Sequence, residues 1–85
     1  MNFQSLVYFK TVAELQHYTK AASTLFITHP ALSKAIHNLE VELGVTLFQK
    51  EGRNVTLTPS GAAFYEYVKR AVDEINNGIA AVQHR

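Results

Sequence analysis

The apolar positions fall into separate groups along the chain, each with its own period. Phe3, Leu6, Phe9 and Ala13 recur at three- and four-residue spacing, one face of a helix that starts at an Asn2 cap and runs to about residue 14. Tyr8, Val12 and Leu15 make a second stripe on roughly the opposite side. One buried stripe suffices for a surface helix, so two predict packing on the core and on a second partner as well. A connection without Gly or Pro follows over 15–18. Thr19 then serves as cap for a short helix over 20–26, where Ala21 and Ala22 permit close helix–helix approach. Leu25, with Phe26 or Ile27, turns inward at its end.

The clearest period comes next. Thr28 is a capping residue, and Pro30 suits a first helical turn because its missing N–H would be unpaired there in any case. Leu32, Ile36, Leu39 and Leu43 repeat at four, three and four residues and cluster within about 60° around a helix over 30–43. Gly44 supplies the left-handed stop. Opposite the leucines lie Pro30, Lys34, His37, Asn38 and Val41, with Ser33 on the flank. Residues 19–43 therefore have the form of a helix-turn-helix, whose second helix enters the major groove of DNA.

Two short β-type runs, 47–50 and 54–57, flank Glu51-Gly52-Arg53 and predict a hairpin, the wing of a winged helix, with Lys50 and Arg53 placed to reach phosphate or the minor groove. Thr58 and Pro59 cap and open a last helix. Along it Tyr65, Val68, Val72, Ile75, Ile79 and Val82 form an a/d seam. A helix over 59–85 is a rod of roughly 40 Å. That exceeds what so small a core needs, and predicts pairing with a second copy, the outer stripe of the first helix being a further contact.

Composition narrows the function. Eighty-five residues make one small domain, and with no cysteine there is neither a disulfide nor a thiolate metal site. No apolar run approaches the ~18 residues of a membrane span, and the N-terminus lacks a secretion pattern; a cytoplasmic, soluble chain without a membrane partner is expected. The net charge of +1 says little, but no acidic residue occurs between Glu14 and Glu40, where His17, Lys20, His29, Lys34 and His37 all fall. Catalysis finds no support. His29 and His37 stand two helical turns apart, about 12 Å along the axis, too far to share one metal. Asp73 and Glu74 have no His or Ser partner in pattern, and no Gly-rich phosphate loop exists. No enzyme, cofactor or metal is expected.

These residues also carry a family resemblance. The chain resembles, over its whole length, the N-terminal DNA-binding part of a LysR-type transcriptional regulator. Leu6, Phe9, Thr19-Lys20-Ala21-Ala22, Leu25, Pro30-Ala31-Leu32-Ser33-Lys34-Ala35-Ile36, Leu39-Glu40, Leu43-Gly44-Val45, Leu47-Phe48, Arg53 and Leu57-Thr58-Pro59-Ser60-Gly61 match in order and spacing. The resemblance implies a mainly α, winged helix-turn-helix domain over 1–58 (helix-turn-helix 19–43, wing 47–57) and a linker and dimerisation helix over 59–85. It implies double-stranded DNA as partner, read by a dimer at a dyad-symmetric operator to regulate transcription, with higher oligomers open to a full-length protein. Effector binding would belong to a further domain that this chain lacks. The contacts implied are Thr19, Lys20, Thr28, His29, Pro30, Ser33, Lys34, His37, Lys50 and Arg53. The alternative is a dimeric helical interaction module that has lost DNA binding. Three departures from the family pattern stand out: Thr28-His29 for the usual Ser-Gln, Lys34 for Arg, and His17 for Ser.

Overall fold

The computed structural model describes residues 1–84. Its elements are α1 (Phe3–Leu15), α2 (Tyr18–Leu25), α3 (His29–Leu43), β1 (Phe48–Glu51), β2 (Asn54–Leu57) and α4 (Pro59–Gln83). The architecture is the expected one, mainly helical with a two-stranded antiparallel hairpin. Arg85, the last residue assigned to the final helix from sequence, lies outside the described residues.

Side-chain chemistry marks each helix start. Asn2 and Ser5 form a reciprocal capping box on α1, Thr28 accepts from the Ala31 amide at 3.2 Å, and Thr58 accepts from the Gly61 amide at 3.0 Å. The cap of α2 is not Thr19 but His17, whose Nδ1 accepts from the Lys20 amide at 3.1 Å. An imidazole acceptor nitrogen serves the third amide as a hydroxyl would, so α2 starts two residues earlier than expected. The ends are left-handed: Gln16 at φ 56°, Phe26 at φ 58° and Gly44 at φ 72°. Phe26 therefore closes α2 rather than joining the core; its side chain is 95% exposed, while Leu25 and Ile27 on either side are half-buried.

The core gathers where α1 meets α2, α3 and α4. Phe9, Val12, Leu32, Ile36 and Leu47 are its largest fully buried side chains, each contributing about 1.5–3 kcal/mol by leaving water. Phe9 stacks obliquely between Phe48 at 5.4 Å and Phe64 at 5.2 Å. The second stripe of α1 is thus resolved within one chain: Val12 is buried, Tyr8 half-buried, and of the three only Leu15 is exposed. The surfaces it meets belong to the same chain: Tyr8 lies with Ala35, Asn38 and Leu39 of α3, whereas Phe9 of the first stripe meets Phe64 of α4.

Hydrogen bonds from backbone and side chains fix the wing to its neighbours. Glu40 Oε2 accepts from the Leu47 amide at 2.6 Å, Gln16 O from the Val55 amide at 3.0 Å, Leu47 O from the Thr58 amide at 3.0 Å, and Thr46 O from the Thr58 hydroxyl at 2.7 Å. The strands pair from Phe48↔Leu57 to Glu51↔Asn54, leaving a two-residue turn whose first residue, Gly52, takes φ 66°. The expected α4 seam divides in two. Val68 and Val72 are buried against their own core and Tyr65 is half-buried, whereas Ile75, Ile79 and Val82 stand exposed.

Candidate nucleic-acid interface

Because Leu32, Ile36 and Leu39 turn α3 inward, the opposite face is presented outward: His29, Pro30, Lys34 and His37 are exposed, and Ser33 is half-buried. The wing lies beside the N-terminal half of α3, held there by Glu40 and Gln16. Between the starts of α2 and α3 and the hairpin runs a concavity of about 550 Å³. His17, Tyr18, Thr19, His29, Ser33, Lys50, Gly52, Arg53, Asn54 and Val55 line it, with no acidic residue among them.

Of the residues singled out from sequence, Thr19, His29, Ser33, Lys50 and Arg53 come together in this concavity. Pro30 and Lys34 continue the exposed face of α3 outside it, and Lys20 is exposed on the first turn of α2. His37 lines a separate hollow of about 330 Å³ with Val41 and Val45. The Thr28 hydroxyl oxygen accepts from the Ala31 amide and so caps α3, which orients the helix start. Lys20, Lys34, Lys50 and Arg53 make no ion pair among the described residues; the two ion pairs found, Met1 ammonium–Glu42 and Lys10–Glu14, lie elsewhere. Two unpaired cations in the acid-free hollow, Lys50 and Arg53, with Lys20 and Lys34 exposed on α2 and α3, form a local positive field despite the near-neutral chain.

Sequence reasoning missed Tyr18. Its ring lies 5.5 Å from that of His29 and 6.1 Å, edge-on, from that of Phe48, so it joins α2, α3 and the wing. Burial, with the nearby Glu40 carboxylate, pushes its phenol up to about 12. The only sequence signal was an aromatic residue directly before the supposed cap. Among the described residues no group of three His, Cys, Asp or Glu side chains converges as a metal site would require, and no helix is long and apolar enough to cross a membrane.

The family profile described as "Bacterial regulatory helix-turn-helix protein, lysR family" matches residues 3–62. The chain belongs to the LysR family. Among LysR-type relatives, the uncharacterised HTH-type transcriptional regulator YybE of Bacillus subtilis (strain 168) is 43% identical over 83 residues, 98% of this chain and 28% of YybE. The BenM DNA-binding domain, solved in a complex with benA site 1 DNA, superposes with a TM-score of 0.91 at 38% identity, covering 99% of this chain and 98% of that one. A CbnR DNA-binding domain solved with DNA gives 0.87 at 31% identity, covering 99% and 97%. The chain spans about a quarter of the length of the curated LysR-type relatives it matches, 25–29%.

Proposed function

We propose that this chain is the DNA-reading and subunit-pairing part of a LysR-type transcriptional regulator. The observation that carries the reading is the exposed, acid-free face of α3 beside a wing bearing Lys50 and Arg53, in a fold it shares with two domains solved on DNA. The N-terminal half of α3 enters the major groove, where Pro30, Ser33 and Lys34 meet base edges with His29. Arg53 and Lys50 engage the flanking backbone or minor groove, while Thr19, Lys20 and His37 lie near phosphates and Thr28 orients α3 through its cap. A dimer built through the exposed part of α4 brings two such heads to a dyad-symmetric operator. Residues 1–58 form the reading head, α4 is the linker, and a small-molecule effector acts through a domain outside this chain. The protein works in the cytoplasm.

A mobility-shift titration on duplex DNA across a salt series tests this reading. Affinity is expected to fall steeply with salt, as phosphate contacts release counterions. Lys34→Ala is expected to weaken binding by ~1–3 kcal/mol and to relax preference at one base pair per half-site. A helix-only interaction module would give no shift even at low salt; unchanged affinity and selectivity in Lys34→Ala would mean that another face of α3 meets DNA.

A further inference from the structure

His29 differs from a flexible reading residue in what stands behind it. Four aromatic rings run from the centre of the molecule to its surface. Phe9 is fully buried; Phe48 lies 5.4 Å from it, Tyr18 6.1 Å from Phe48, and His29 5.5 Å from Tyr18 at an interplanar angle of 33°. The first three are fixed by α1, the wing and α2, so the last ring is held against a rigid platform although it is exposed. The imidazole lies against the Tyr18 ring, and His29 lines the concavity between α3 and the wing. Neither nitrogen has a hydrogen-bond partner among the described residues, whereas His17, on the same concavity, spends its Nδ1 on capping α2.

Resting on the assignment of α3 as recognition helix, we propose that Tyr18 is a positioning residue for His29, and that the ring so held reads guanine. A neutral imidazole carries a single N–H donor, its other nitrogen being an acceptor, and here it is the donor edge that meets the base. Guanine offers two adjacent acceptors in the major groove, N7 and O6, to a single donor approaching between them. Adenine sets its N6 amino donor beside N7, and the pyrimidines lack N7 altogether. Glutamine, which pairs with adenine through both N6 and N7, cannot stack on Tyr18 in the same way and needs no platform. The pair Tyr18–His29 thus makes the start of α3 a one-donor, fixed-angle probe.

Selection of bound duplexes from a random pool decides the matter, using the whole 85-residue chain and its variants. Wild type is expected to recover guanine at one position of each half-site, about fivefold over adenine, the lower end of discrimination for a base contact. His29→Gln moves that position to adenine and leaves the others alone. Tyr18→Phe, which keeps the ring, retains guanine; Tyr18→Leu flattens that position while the salt dependence stays as in wild type, because the phosphate contacts are untouched. An NMR readout needs no variant: the Tyr18 ring displaces the carbon-bound imidazole proton signals of His29 upfield in the free wild-type chain, and undisplaced signals would overturn the platform. A His29→Gln selection identical to wild type at every position sinks the guanine reading but leaves DNA binding standing. Failure of wild type to recover any duplex at low salt removes both.

Discussion

Gly61 sits where the first turn of α4 passes the wing. A Cβ built there would collide with the carbonyl oxygen of Leu47 and come within 3.0 Å of the Leu57 side chain. That carbonyl is already fixed by the Thr58 amide, so it has little room to withdraw. Alanine favours a helix interior over glycine by about 1 kcal/mol, but overpacking costs about 1–3 kcal/mol and here opposes backbone rather than a flexible tip. Gly61→Ala is therefore expected to destabilise the fold by about 1–2 kcal/mol in urea unfolding, the reverse of the propensity scale; a stabilised variant would show that the wing can move away. At this scale the sequence is least legible. Gly61 reads only as a helix breaker, His17 gives no sign of capping, and the side chain of Phe26 is displaced outward by a backbone conformation that no local pattern announces.

Elements are read more securely where several signals agree. The extent of α3 is legible because its apolar period, the Thr28 and Pro30 start and the Gly44 stop all point to the same helix. The two stripes of α1 correctly indicate two buried sides, but a pattern cannot say whose surface does the burying, and here both surfaces belong to the same chain, α3 beside Tyr8 and α4 beside Phe9. The contact of α1 with α4 is tied by Tyr65, whose hydroxyl donates to Glu14 Oε2 at 2.7 Å while Lys10 pairs with the same carboxylate at 3.1 Å. Partial burial works to raise the Glu14 carboxyl, but the hydrogen bonds from Tyr65 and Lys10, with the charges of Lys10 and Lys69, hold it below its ordinary value of 4.5. The fold thus prefers Glu14 ionised. The stability it contributes is present above 4.5 and is lost as the pH falls through the lower folded value. Tyr65 mirrors this: the bond to Glu14, then burial and the nearby acids, push its phenol up to about 12, so its share is kept below 10 and lost as pH rises toward 12. After solvent screening the cluster is worth about 0.2–1 kcal/mol. Glu14→Gln is expected to lower stability slightly at pH 7 and to flatten its fall below pH 4.5, read as melting temperature against pH. An unaltered acid slope would assign that slope to other carboxylates.

At the scale of the whole molecule, the sequence presents the seam from Tyr65 to Val82 as one interface, whereas the fold uses its first part for the head. The period is continuous along α4, but only its first part is covered by the head, Val68 and Val72 being buried while Ile75, Ile79 and Val82 are not. The molecule extends 47 Å along its longest axis and 25 Å across, and the distal part of α4 carries Ile75, Ile79 and Val82 outward at three- and four-residue spacing. A lone chain gains nothing from that stripe, whereas two chains laid together along it would bury it, as the proposed dimer requires. Ile79 separates the two roles of the helix, because it is 46% exposed and lies beyond the last core residue, Val72. Ile79→Glu would place a carboxylate in the seam of each copy, an unpaired charge costing about 3 kcal/mol or more, roughly a hundredfold in dimer affinity. The head should keep its stability to within about 0.5 kcal/mol, since a surface change away from caps and core does little. Sedimentation should then find a folded monomer for the variant, against the dimer proposed for wild type. On DNA the variant should keep its half-site preference and lose the added affinity of a two-fold site, because that gain comes from holding two heads together. A variant that still sediments as a dimer would move the pairing surface off α4, and with it the geometry by which two α3 helices are spaced on one operator.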